Sequence, residues 1–428
     1  MKKDFFIISL ILILALLVYR GSFFNFFAQD DFILINHFSQ NSIFIDLKNA
    51  LGKPQVTHWR PVHNLFFLAA GNIFGKNYIG YHAMIFAIHI GVSFLIYKII
   101  NFIHKKFWVG VLCAIIYALH PAHFISLFWI SGAATTIGMF LFLLSFYFYL
   151  NKKGLLTLIL WAASLLASEA MLVGIGIFLS YSFLFDGKVS RRFLKNIFLT
   201  SICFLALKFF LTPKDTYQIY KIEINKNVIV ALKYYILRIA GFAEVSGDLI
   251  ISLIWALWLL IPLFLILRML AKKEFFREIL FGASLIIFGL FPFIFIPEHL
   301  SAHYMNISIW GFSFIVAFAL VRTSYVIRNV LMVVFIIVAS VNVNLISKDT
   351  WVVTRANLAR RYIRSIESSN LPSQSTIVFN DNYISTSKEA YITLGGGKAI
   401  DFWFKEKKYK TCFTFLDKCP DQDIKIIR

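Results

Sequence analysis

The chain has 428 residues, is 59% hydrophobic and carries a formal net charge of +20, with a mean hydropathy of +0.75. Soluble domains hold about 45–50% apolar residues, so the composition excludes an ordinary water-soluble globule and points to a polytopic helical membrane protein. Nor does the charge imply nucleic-acid binding: Lys and Arg gather in short loops between apolar runs, as they do on the cytoplasmic side of membrane proteins.

Lys2 and Lys3 open the chain and an apolar run continues past Arg20 to Phe27 without a small-residue cleavage site, which reads as a retained signal anchor with its N-terminus in the cytoplasm. An outer loop, 28–77, follows with Asp30, Asp31, His37, Asp46, His58, Arg60 and His63. The next helix carries Tyr81, His82 and His89. Basic clusters at 104–106, 151–153, 188–195, 268–277 and 322–328 fix the cytoplasmic side, so the chain crosses an even number of times between them. One hairpin runs from Phe107 to Leu150, broken at His120-Pro121-Ala122-His123, and a second from Leu155 to Phe185, broken at Ser168-Glu169. Phe193–Leu211 then leads out, an amphipathic segment at Val228–Phe242 stays outside, and Leu249–Leu270 returns. Ile279–Ile296 and His303–Leu320 form a further hairpin around Glu298, His299, His303 and Tyr304, and Arg328–Ile346 exits. The total is about eleven crossings, an odd number that leaves the C-terminus outside.

Residues 1–346 thus form a transmembrane unit and residues 347–428 a small extracytoplasmic α/β appendage. In the latter, a helix at Trp351–Ser368 bears Arg355, Arg360, Arg361 and Arg364, and short strands are expected at Thr376–Phe379 and Ile424–Ile427. Gly395-Gly396-Gly397 is a turn signal and not a phosphate loop. Cys113 and Cys203 lie in apolar runs; Cys412 and Cys419 either pair, if the tail is extracytoplasmic, or stay free. No metal-type Cys/His spacing occurs.

Two crossings, Phe107–Leu119 and Leu155–Ala167, are about 13 residues or roughly 20 Å long, against a hydrocarbon core of about 30 Å. They leave His120, His123 and Glu169 below the outer surface. A charge at mid-membrane costs about 2.5–3.5 kcal/mol and is tolerated where it faces a wet cavity or a partner. All histidines except His104 fall in the outer half or outer loops, which favours a sunken polar cavity. Plainer readings stand beside this one: Arg60 as an interfacial anchor, His89 as an interhelical bond, Glu169 paired with a buried Lys or Arg, Asp30 as a helix cap. A cavity of this kind suits sugar transfer from a lipid phosphate, which needs a carboxylate base for the acceptor hydroxyl and cations on the leaving phosphate.

The order of motifs resembles the GT-C superfamily of polyprenyl-phosphate-sugar glycosyltransferases, and most of all the membrane part of the tetratricopeptide-repeat O-mannosyltransferases. Asp30-Asp31-Phe32 is similar to the acidic motif of the first outer loop, and Trp59-Arg60-Pro61-Val62 to Tyr-Arg-Pro-Leu. Tyr81-His82 with His89 resembles Phe-His-x-x-Asn-x-x-x-His. His120 to His123 and Trp129-Ile130-Ser131-Gly132 resemble the second outer turn, and Ser168-Glu169 falls at the family's Lys-Glu. Ser126 stands where that family has Glu, His303-Tyr304 where it has Arg-Tyr, and no tetratricopeptide repeats follow.

The resemblance implies an integral membrane hexosyltransferase, inverting at the sugar carbon, with a polyprenyl-phosphate-sugar donor among membrane lipids and an extracytoplasmic acceptor: a protein hydroxyl, a glycan or a glycolipid. Asp31 or Asp30 is expected as the base. Arg60, His303, Tyr304 and His299 are expected on the donor phosphate, and His82, His120, His123, Glu169, Glu298 and His63 around the pocket. Apart from the resemblance, no catalytic metal is assumed and no cofactor is assigned, although the paired acids equally suit a divalent cation. The rival reading is a transporter or flippase of a lipid-linked or polar substrate, since intramembrane Glu and His also mark proton relays; no inverted repeat supports it. A lipid-linked polymerase or ligase is a third.

Overall fold

Backbone polar groups have no water to bond in a bilayer, so apolar runs of this length fold as helices. The structure, a computed structural model, describes residues 2–38, 41–52, 58–186, 191–212, 221–242, 249–381 and 384–419. In chain order the helices are α1 (Lys2–Tyr19), α2 (Asp30–Phe38), α3 (Ile43–Leu51), α4 (Pro61–Phe74), α5 (Tyr78–His104), α6 (Phe107–Leu119), α7 (Phe124–Phe128), α8 (Ala133–Leu150), α9 (Gly154–Ala167) and α10 (Gly174–Tyr181). They continue with α11 (Arg191–Leu211), α12 (Asn227–Ile239), α13 (Leu249–Ala271), α14 (Phe276–Leu290), α15 (Asn306–Val321), α16 (Tyr325–Asp349) and α17 (Trp351–Ser368). Strand β1 (Thr376–Phe379), α18 (Ser387–Thr393), α19 (Lys398–Trp403) and β2 (Lys410–Phe413) complete the described chain.

This is an all-α polytopic protein. Among the described residues eight helices are long and apolar enough to cross a membrane, nine if α6 and the segment Pro121–Phe128, bent by 48°, form one broken span. About eleven crossings were expected; the difference lies in the short helices, for α9 has only 14 residues and α14 only 15. At about 1.5 Å per residue both fall well short of a bilayer core. The bundle centre is α5, α8 and α15, whose apolar windows are 61%, 67% and 78% buried, whereas α11 and α13 are 17% buried and expose rows of Leu, Ile and Phe. Pro121 follows His120, the residue whose side chain caps the short turn after α6 by accepting from Ala122 N at 3.3 Å.

The basic loops meet at one end. His104 lies 3.7 Å from Glu278 and within ring contact of Phe185, Lys106 sits over Phe275, and Arg322 pairs with Glu274. Loop 28–77 and the C-terminal segment meet at the other end. Gln29 N donates to Thr393 O at 2.9 Å, Arg360 Nη2 to Phe24 O at 2.6 Å and Lys76 Nζ to Trp403 O at 2.7 Å. In the C-terminal segment β1 and β2 pair in parallel, Thr376 opposite Lys410, and Cys412 is bonded to Cys419. The strand expected at Ile424–Ile427 lies outside the described residues; β1 takes Lys410–Phe413 as its partner.

Candidate active site

Asp31 is 1% exposed and accepts three hydrogen bonds, from Ala28 N at 3.0 Å, Ser131 N at 2.8 Å and Ser131 Oγ at 2.6 Å. It ties the start of α2 to the turn at Ile130–Gly132. Burial pushes its carboxyl up to about 7; the bonds from Ser131 and Ala28 oppose the rise, and the neighbouring Asp30 charge adds to it.

Asp30 is the opposite case. Its side chain is exposed and, among the described residues, accepts no hydrogen bond. Dense protein around it still raises its pKa, with Arg60 and Arg355 pulling the other way. The carboxylate sits at the first turn of α2, where the helix dipole favours a negative charge.

Arg60, placed just before Pro61 at the first turn of α4, makes a fork to Glu169, Nε to Oε2 at 2.9 Å and Nη2 to Oε1 at 2.7 Å. Lys208 of α11 joins the same carboxylate at 3.0 Å. Glu169 follows the C-cap of the short α9, so the early end of that helix sets this ion cluster at its mouth. His58, His63, His299 and His303 all lie within electrostatic reach of Arg60. Burial first, and the Arg60 charge second, lowers His58 and His63 to about 3 and lowers His299, so these imidazoles are neutral at physiological pH. His303 Nδ1 is 2.6 Å from Ser301 Oγ, and its ring packs on Tyr304 at 4.0 Å and edge-on to Trp129 at 6.1 Å. Tyr304 in turn stacks on Phe293. Two buried donors or acceptors here, His63 Nε2 and Trp129 Nε1, have no hydrogen-bond partner among the described residues, which is uncommon unless a ligand or water completes them.

Other expected pocket residues are engaged elsewhere. His82 lies between two backbone carbonyls, Nδ1 at 3.0 Å from Leu127 O and Nε2 at 2.9 Å from Asn25 O, and serves to pin α5 to its neighbours. His120 Nε2 is 3.0 Å from Ile239 O, and its carbonyl accepts from Tyr19. His123 is 1% exposed and packs among His89, Tyr117 and His120 in a separate buried aromatic cluster. Glu298 is exposed and makes no hydrogen bond or ion pair among the described residues. The structure therefore brings together Asp30, Arg60, His63, Glu169, His299, His303 and Tyr304, and leaves His82, His120, His123 and Glu298 out. Two residues not expected from sequence join them: Lys208, legible only as a lone cation inside an apolar run, and Arg355, from the C-terminal segment.

A divalent ion wants about six or more oxygen ligands. Asp31 Oδ1 accepts two hydrogen bonds and Oδ2 one, and among the described residues no three His, Cys, Asp or Glu side chains converge. Among the described residues no divalent-cation site is formed.

No protein-family description matches this chain, and no curated protein matches it. Among solved structures it is similar to the single-particle cryo-EM structure of the arabinofuranosyltransferase AftD from mycobacteria, with a TM-score of 0.49 and 11% identity. The match covers 89% of this chain and 29% of that one, so the chain spans under two thirds of that protein's length.

Proposed function

We propose that this protein is an integral membrane glycosyltransferase of the GT-C type. It moves a hexosyl, mannosyl-type unit from a polyprenyl-phosphate carrier to an acceptor on the outer face, a protein hydroxyl, glycan or glycolipid. The N-terminus is cytoplasmic and residues 347–428 are extracytoplasmic. The observation that carries the reading is Asp30: an exposed carboxylate that accepts no hydrogen bond among the described residues and lies within electrostatic reach of Arg60 and Arg355.

Asp30 takes the proton of the acceptor hydroxyl as that oxygen bonds to the anomeric carbon. The bond from that carbon to the phosphate oxygen breaks, and its electron pair leaves on polyprenyl phosphate. Arg60 and Lys208 both reach Glu169; cations of this kind suit the departing phosphate. His303, Tyr304 and His299 flank it, and His63 Nε2 and Trp129 Nε1 are free to meet sugar hydroxyls. Asp31, 1% exposed and held by three hydrogen bonds from Ala28 and Ser131, shapes the loop, and its burial keeps an acceptor hydroxyl away from it.

The test is transfer from labelled polyprenyl-phosphate sugars by the purified full chain. Asp30→Asn should lower turnover by about 10²–10⁴-fold, the range for loss of a general base, while Arg60→Gln raises donor KM. Undiminished transfer in Asp30→Asn removes the assignment. Movement of the lipid-linked sugar across vesicles without release of polyprenyl phosphate makes the protein a transporter instead.

A further inference from the structure

The C-terminal segment grips the loop that presents Asp30. Gln29, immediately before it, adopts a left-handed backbone with φ +54°, and its N–H is held by Thr393 O at 2.9 Å. Gly395 comes against the same residue: its φ is +58°, and a Cβ there would meet Gln29 O at 2.7 Å. Arg355 closes the contact from α17. Glu389 holds its guanidinium, Nε to Oε1 at 2.6 Å and Nη2 to Oε2 at 3.2 Å, and the guanidinium lies over Trp351 at 5.6 Å. With the Gln29 amide oriented so that both groups are satisfied, its oxygen accepts from Arg355 Nε at 3.3 Å and from Nη1. Trp351 packs edge-on against Trp129 at 5.2 Å, the residue that faces His303.

We propose that Arg355 is a positioning residue for Asp30, and that the Thr393–Gly395 turn latches the Gln29–Asp30 turn, so that the C-terminal segment forms part of the active site. The proposal rests on the reading of Asp30 as the base. An appendage that only decorated the surface would not need a glycine fitted against the base's own turn, or a guanidinium fixed by a carboxylate on one side and Gln29 on the other. Arg355 also favours the ionised form of Asp30. The other charges that face α2 are Asp31 on the same turn, Arg60 at the start of α4, and Asp46 of α3 with Lys398 of α19, which act on His37 at the helix's far end.

The test uses the full chain in lipid nanodiscs. A carbodiimide with an amine nucleophile couples to protonated carboxyls, and peptide mass spectrometry across a pH series gives the midpoint for Asp30 whether or not a sugar substrate is in hand. Arg355→Gln should shift that midpoint upward and carry the acid limb of any transfer profile with it, whereas Arg355→Lys, which keeps the charge, should restore it towards the parent value. Gly395→Ala should speed deuterium uptake at Gln29. A midpoint unmoved in folded Arg355→Gln overturns the positioning role, and unchanged uptake in Gly395→Ala overturns the latch. Both outcomes are independent of whether Asp30→Asn abolishes transfer, which decides the base assignment.

Discussion

Adjacent in sequence, Asp30 and Asp31 point to different environments, as neighbours at a helix start do. Asp31 is turned inward onto Ala28 and Ser131; Asp30 is turned to the surface near Arg60. Spacing alone could not say which acid was free, because the answer lies in Ser131, 100 residues away. The inward carboxyl has a consequence for stability. Its pKa is raised from an ordinary 3.8 to about 7, so between those values the folded chain holds a proton that the unfolded chain has lost. Folding stability from this group is therefore fully present below about pH 4 and declines as pH rises towards 7, by at most about 1.4 kcal/mol per unit. The thermal midpoint of the purified protein should fall over that window, and Asp31→Asn, which cannot ionise, should flatten the fall while lowering the midpoint at acid pH. Parallel slopes for the parent and Asp31→Asn would show that the carboxyl does not titrate there. Asp30 is electrostatically coupled to it, and Asp30→Asn in the same series separates the two.

At the scale of helices, close approach is set by small residues. A Cβ on Gly311 of α15 would meet Gly282 O at 2.5 Å, and one on Gly289 of α14 would meet Ser308 Oγ at 2.3 Å. These glycines let α14 and α15 pack backbone against backbone, as membrane helices do where no hydrophobic drive separates helix from lipid. Gly311→Ala should therefore cost about 1–3 kcal/mol, the usual penalty for overpacking, seen as a lower midpoint in thermal unfolding. Gly154→Ala at the start of α9, where a Cβ meets nothing within 4 Å, should be tolerated. The existence of the helices was legible from runs of apolar residues and the basic loops between them. The early end of α9 was legible too, from Ser168-Glu169 in an otherwise apolar stretch. The partners of those polar breaks were not. Glu169 reaches Arg60 across 109 residues, and His120 and His82 resolve onto backbone carbonyls that carry no side-chain signature. The histidines other than His104 formed a pattern in the sequence, but they comprise the Arg60 cluster, a buried aromatic cluster, the bracing His82 and His37 against Phe38 at the end of α2.

On the whole molecule, charge and chemistry separate towards opposite ends. The loops around His104, Lys106, Glu274, Glu278 and Arg322 meet at one end, where Lys2, Lys3, Phe6 and Phe107 also line a shallow pocket. At the other end lie Asp30, the docked C-terminal segment and the bond between Cys412 and Cys419. The proposed orientation follows from two rules, that basic loops face the cytoplasm and that disulfides persist in oxidising compartments. Because Gln29 bonds to Thr393, the first loop and the C-terminal segment must share a side, so one measurement places both. Lys152 and Ser369 are exposed, and Lys152 follows α8 at the basic end. In intact cells a membrane-impermeant maleimide should label Ser369→Cys and spare Lys152→Cys until the membrane is permeabilised. Cys113 is buried and Cys203 lies on the exposed apolar face of α11, so the unsubstituted chain supplies the background. The reverse labelling pattern would put the acids in the cytoplasm, where an outer-face acceptor could not reach Asp30.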